Sequence, residues 1–173
     1  MTNTISFMLK NTSAQMLGTM GHILTKAEAH AKDREIDEAN FIKARLYPDM
    51  FALDQQVWTA CDIAARGAAR LAGQDMPSFP DTETTFAELI ARTKAANEFV
   101  QGVDDAAMDA DPDSIVTLET PRGNFDFPKT LYMSRFALPN IYFHTSMAYA
   151  ILRKGGVELG KFDFLAGGQM PIV

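Results

Sequence analysis

Apolar residues recur along most of this chain at the spacing of one helix face, and four stretches hold that pattern over several turns. From 5 to 32, Met8 or Leu9, Met16, Met20, Ile23 and Ala27 form a stripe with Lys26, Glu28 and Lys32 largely off it. From 49 to 72 the stripe is Met50, Leu53, Val57, Cys61, Ala64, Ala68 and Leu71, with Asp49 as expected N-cap and Gly73 as stop. Its small residues predict a close helix partner. A third helix follows the capping signal Thr85-x-x-Glu88 through Phe86, Leu89 or Ile90, Thr93, Ala96, Val100 and Val103, until the acidic stretch 104–113 ends it. The fourth covers 128–154, PKTLYMSRFALPNIYFHTSMAYAILRK, and stops at Gly155-Gly156.

Between these runs the pattern changes. The segment DREIDEANFIKARLYPDM is too long for a tight helical hairpin and predicts a connection that crosses the bundle. Ile115 to Glu119 is rich in β-formers, Thr120-Pro121-Arg122-Gly123 suits a type I turn, and Asn124 to Phe127 alternates. A short hairpin follows from this. A lone hairpin is marginal in water, so Phe125 and Phe127 or their neighbours must pack on the bundle. Phe162, Phe164 and Leu165 of the tail are expected to fold back over the bundle end. The expected fold class is all-α: a four-helix bundle with a crossing connection and a small β-hairpin before the last helix, as one domain over 1–173.

Composition narrows the function classes. At 173 residues with 47% hydrophobic content the chain can bury a sizeable core. A net charge of -6 with no basic stripe argues against nucleic-acid phosphate as a partner. Cys61 stands alone in an alanine-rich stretch, which predicts a buried packing residue and fits a cytoplasmic location. The start lacks a signal-peptide pattern, and no run of about 18 apolar residues offers a membrane span.

Conventional catalytic signatures are missing: there is no glycine-rich phosphate loop, paired cysteines, histidine-glutamate zinc motif or nucleophile elbow. The candidate chemistry therefore rests on scattered side chains. Pro139 interrupts the fourth helix, and Asn140 and His144 lie four residues apart on one of its faces. Gln56 sits beside the second stripe, while Trp58 points away from it and predicts an oligomer contact or a covering loop. His22 and His30 read as surface or boundary residues, and Tyr132 as core or interface; Tyr142 and Tyr149 are pocket candidates.

The segment NIYFHTSMAYAILRKGGVELGKFDFL resembles the last helix of the DinB-like (YfiT-like) helical bundles, with Leu152-Arg153, Gly156 and Val157-Glu158-Leu159-Gly160 setting the register. LDQQVWTACD is similar to the segment that presents those bundles' remaining histidine. With RLYPDMFALDQQV and FPDTETTFAEL, the pattern looks most like an uncharacterised bacterial branch of that superfamily, a domain of unknown function, over nearly the whole chain. The resemblance implies a site where three histidines hold a divalent metal, used as a Lewis acid in members similar to thiol-dependent transferases or isomerases. On this register His144 is one ligand, whereas Gln56 and Asn140 replace the other two histidines. Amide oxygens are poor ligands for zinc or nickel.

Three readings of Gln56, Asn140 and His144 stay open at this point. They form a hydrogen-bonded cluster in the bundle, they line a small-molecule pocket with Tyr142 and Tyr149, or His144 is the principal ligand of a metal-dependent transferase or hydrolase. The expected function is accordingly a small-ligand-binding or structural, stress-related module, with metal enzymology as the alternative and a zinc or nickel ion as the conceivable cofactor. A homodimer is the expected assembly, on resemblance and on the apolar surface around Trp58.

Overall fold

The computed structural model describes residues 4–167. The first stripe folds as α1 (Ile5–Asp33), opened by Thr4, whose hydroxyl accepts from the Phe7 N–H at 3.2 Å. Leu9, Met16, Met20, Ile23 and Ala27 are fully or almost fully buried along it, as the spacing requires. In the crossing connection a single turn, α2 (Ala39–Ile42), presents Phe41 and Ile42 to the core.

The second long helix, α3 (Leu53–Ala72), begins four residues after the expected cap at Asp49. Tyr47 to Met50 is held in a turn, with the Met50 N–H donating to the Tyr47 carbonyl at 3.0 Å. Backbone at Ala52 instead donates to Gln55 Oε1 at 3.0 Å, so the glutamine starts the helix. Gly73, at φ 67°, ends it as the sequence indicates. Thr85 and Glu88 make the expected reciprocal cap of α4 (Phe86–Gly102), with the Glu88 N–H on Thr85 Oγ1 at 3.2 Å and the Thr85 N–H on Glu88 Oε2 at 3.1 Å.

Beyond α4 the acidic stretch forms a short turn that sequence periodicity did not reveal, α5 (Asp105–Asp109), which buries Met108. Asp109 ties it to α1 by accepting from Ser6 N and Ser6 Oγ at 2.8 and 2.6 Å. The hairpin pairs β1 (Ile115–Thr120) antiparallel with β2 (Gly123–Pro128), Val116 opposite Phe127 and Leu118 opposite Phe125. Gly123 lies at φ 120°, which a side chain would strain. Phe127 packs against Tyr132 and Phe136, while Phe125, nearer the turn, stays exposed.

The fourth helical pattern is divided. A first turn, α6 (Lys129–Leu131), leads into a π-helical turn over Tyr132–Ala137, and α7 (Leu138–Lys154) completes the element. After Gly156, α8 (Lys161–Ala166) lies on α1. Phe164 packs edge-on against Tyr149, whereas Phe162 and Leu165 of the same tail are exposed. α1 packs along α4 and α3 along α7, while α3 against α4 and α1 against α7 close the bundle. The small residues of α3 serve this approach: Ala60, Ala64, Ala65 and Ala68 are all fully buried. Each buried leucine-sized side chain of the shared core contributes roughly 2 kcal/mol. Among the described residues no helix is long and apolar enough to cross a membrane.

Candidate functional site

Pro139 stands at the start of α7, immediately after the π-helical turn. A proline removes one N–H from the helical ladder, and the wider turn before it absorbs the disruption. Asn140 serves this repair. Its Nδ2 donates to the Phe136 carbonyl at 2.7 Å, four residues back, and no bond joins it to Gln56 or His144.

His144 and Gln56, 88 positions apart, do meet. Both are buried, and His144 Nδ1 lies 2.7 Å from Gln56 Oε1. The proton can be placed by elimination. Gln56 Nε2 faces the Phe51 carbonyl at 3.2 Å, and a carbonyl can only accept, so the amide oxygen is left toward the ring. Nδ1 therefore carries the hydrogen. Phe51 stacks on the imidazole with centroids 6.2 Å apart and Phe143 meets it edge-on at 5.2 Å. Burial among these groups pushes the proton affinity of His144 below the ordinary 6.5, and the ring is held neutral.

This donor set does not fit a metal ion as folded. Two ligands of a tetrahedral zinc stand about 3.3–3.5 Å apart, whereas the imidazole nitrogen and amide oxygen are at hydrogen-bond distance, 2.7 Å. Asn140, the third position of the register, is committed to its own helix. Among the described residues no group of three or more His, Cys, Asp or Glu is arranged to hold a metal. Tyr142 is exposed on α7, and Tyr149 turns to the tail, its hydroxyl 3.4 Å from the Leu159 carbonyl.

Phe51 and Phe136, which contact His144 and Asn140, also border a cleft of about 390 Å³. The exposed flank of α3, the Leu118–Glu119 edge of β1 and the π-helical turn enclose it. Gln55, Trp58, Asp62, Arg66 and Arg70 line the helix side, and Tyr132 the other. Trp58 is thus a cleft wall, half-buried beneath the covering segment, with Lys43 Nζ 6.0 Å from its ring centroid. Sequence reasoning placed Trp58 off the core stripe but missed Arg70, Tyr132 and Phe51 as its companions. The π-helical turn decides this, since it swings Tyr132 and Phe136 toward α3 by a rotation that 3.6-residue periodicity does not contain.

Residues 8–165 match a family described as a domain of unknown function (DUF1993). The chain belongs to this DUF1993 family. A crystal structure of a DinB family member from Shewanella denitrificans is similar to it at 36% identity, covering 97% of this chain and 96% of that one with a TM-score of 0.85. No curated protein matches the chain. The DinB-like fold inferred from the last helix and from LDQQVWTACD therefore stands, with the polar pair and the cleft set on it.

One further cluster supports the site in this DUF1993 chain. Arg92 of α4, 4% exposed, pairs with Asp62 and Asp81 at 2.9 Å and with Glu83 at 3.0 Å, and donates to the Pro80 carbonyl at 2.9 Å. It straps the loop before α4 to the flank of α3. Burial raises the Asp62 carboxyl even against Arg66 and Arg92, and pushes the neighbouring Cys61 thiol up to about 12. Cys61 is a packing residue in a fully buried position. Arg92 was legible only as a charge on the apolar face between Leu89 and Ala96, a signal of a buried ion pair that went unread.

Proposed function

We propose that this DUF1993 protein binds a small molecule in the cleft between α3, β1 and the π-helical turn. The observation that carries this reading is the cleft itself: about 390 Å³, walled by Phe51, Trp58, Tyr132 and Phe136, with five charged side chains around them. Aromatic walls that converge with polar groups able to fix a ligand's orientation, at a volume suited to a small molecule, are features of binding sites, and here Gln55, Thr59, Asp62, Arg66, Arg70, Asp81 and Glu119 supply the polar part. The His144–Gln56 pair supports the cleft from behind, because the bond fixes Gln56, and Gln56 in turn holds the Phe51 carbonyl.

A fragment screen by thermal shift on the whole protein, repeated with Thr59→Phe, tests the reading. Thr59 lines the cleft, so the larger ring should remove the shifts given by the wild type. Hits that survive Thr59→Phe, or an absence of hits, would sink it. Homodimerisation is part of the same proposal and is supported by Phe51 and Phe143, each about half exposed beside His144. Sedimentation should then show a dimer that Phe143→Ser weakens, and a monomeric wild type would refute it.

A further inference from the structure

At the Arg70–Tyr132 end the cleft is short of acceptors. Tyr132 is 1% exposed, and its hydroxyl accepts from Arg70 Nη1 at 2.8 Å, so its own O–H remains to be donated. No acceptor for it lies within hydrogen-bond distance among the described residues. Arg70 Nε is buried without a partner, and so is Trp58 Nε1. Buried donors left unmatched cost about 1–3 kcal/mol each, and at Arg70 and Tyr132 two open donor groups stand side by side.

The charges around it sharpen the demand. Asp62 is engaged by Arg66 and Arg92, and Asp81 by Arg92. Arg66 is paired with Asp62 at 3.2 Å. Arg70 alone of the cleft's cations has no carboxylate within ion-pair distance among the described residues; it sits 5.4 Å from the Tyr132 ring centroid and on that residue's hydroxyl. Glu119 stands at the rim on β1, outside ion-pair distance of either guanidinium. The Tyr132 hydroxyl stays protonated: burial raises its affinity for the proton, against the nearby Arg70 charge.

We infer that the cleft takes an organic acid, its carboxylate accepting from both the Arg70 guanidinium and the adjoining Tyr132 O–H, and its apolar body laid against Phe136, Leu118 and Ile63. This rests on the binding reading above and names the ligand class for it. An ionised carboxylate has an oxygen for the guanidinium and a second for the tyrosine O–H and carries the charge that Arg70 lacks a partner for, a combination a neutral amide or an amine cannot offer.

The test is calorimetric titration of the whole protein with 4-phenylbutanoate, 4-phenylbutanamide and 4-phenylbutylammonium, three probes of one shape and different charge. The acid should bind at least tenfold tighter than the amide, and the ammonium weakest. Arg70→Met should reduce the acid to the level of the amide while leaving the amide unchanged. Tyr132→Phe, which keeps the ring and so the packing, should weaken the acid several-fold; Arg70→Lys should retain part of the preference. Should the amide or ammonium bind as well as the acid, the acid assignment falls and the binding reading stands. Should neutral fragments bind in the cleft while none of the three probes does, the assignment falls likewise. Absence of binding by any compound overturns both.

Discussion

His144 on α7 donates its Nδ1–H to Oε1 of Gln56 on α3 across 2.7 Å, both side chains buried. The bond joins the two helices, and it leaves each partner dependent on the other. Gln56→Leu strands a buried donor and should cost about 1–3 kcal/mol in denaturant unfolding. His144→Phe with Gln56→Leu removes both groups and should recover part of that loss, so a double-mutant cycle should return a favourable coupling energy.

The same bond sets the response to metals. With Gln56 Oε1 held by the ring and Asn140 Nδ2 on the Phe136 carbonyl, zinc or nickel in several-fold excess should leave the melting temperature unchanged. Replacing both amides, Gln56→His with Asn140→His, should produce a metal-dependent rise in melting temperature and stoichiometric metal by elemental analysis. A wild type that carries bound metal on isolation would overturn the hydrogen-bonded reading of this pair.

Protonation probes the pair from another side. Burial holds the His144 proton affinity below 6.5, so as pH falls through 6.5 the unfolded chain takes up the proton first. The stability associated with the neutral ring is therefore complete above 6.5 and declines below it, until the folded ring also titrates. His144→Phe should flatten that decline. A proton NMR titration of the His144 ring should give a midpoint below 6.5.

Why the four long helices were legible and the cleft was not follows from what each depends on. Met16, Met20 and Ile23, or Val57, Cys61 and Ala64, repeat at helix spacing because one face of a regular helix is buried, and that period is written in the chain. Thr85 and Glu88 announce a helix start by local chemistry alone. The His144–Gln56 contact was reached through the register of a resemblance, since two single residues 88 positions apart leave no local trace. Asn140 was placed with them because a regular helix sets 140 and 144 on one face; the π-helical turn and Pro139 give its amide a nearer carbonyl. Arg70 and Tyr132 meet across 62 positions through that same irregular turn, which no periodic reading anticipates.

Arg92 gives the largest expected loss. Removing a buried guanidinium while three carboxylates stay behind leaves charge uncompensated, and Arg92→Met should cost about 3 kcal/mol or more in denaturant unfolding. Cys61 supplies an independent readout. With its thiol pushed up to about 12 and no exposed surface, it should resist aromatic disulfide reagents in the native protein at neutral pH. In the Arg92→Met variant, loosening of the loop over α3 should make it react. A native Cys61 that reacts within minutes would contradict the packing described.

Asp163 secures the end of the chain that the structure describes. Burial alone would raise its carboxyl, yet bonds from His22 Nε2 at 2.8 Å, the Gly160 N–H at 2.7 Å and Lys26 Nζ at 3.1 Å outweigh it and hold the group at about 2. Around this anchor, Thr19 Oγ1 and Gln15 Nε2 donate to the carbonyls of Phe164 and Leu165, so α8 is fastened to α1 along its length. A carboxylate with depressed affinity for protons stabilises the fold fully above its unfolded value of 3.8, and that contribution is lost as pH falls toward about 2. Asp163→Asn should therefore lower the melting temperature at neutral pH, and the gap to the wild type should close between pH 4 and pH 2. Hydrogen exchange at neutral pH should show the loss concentrated in Lys161–Ala166. A gap that stays constant down to pH 2 would mean that the charge of Asp163 does not hold α8 in place.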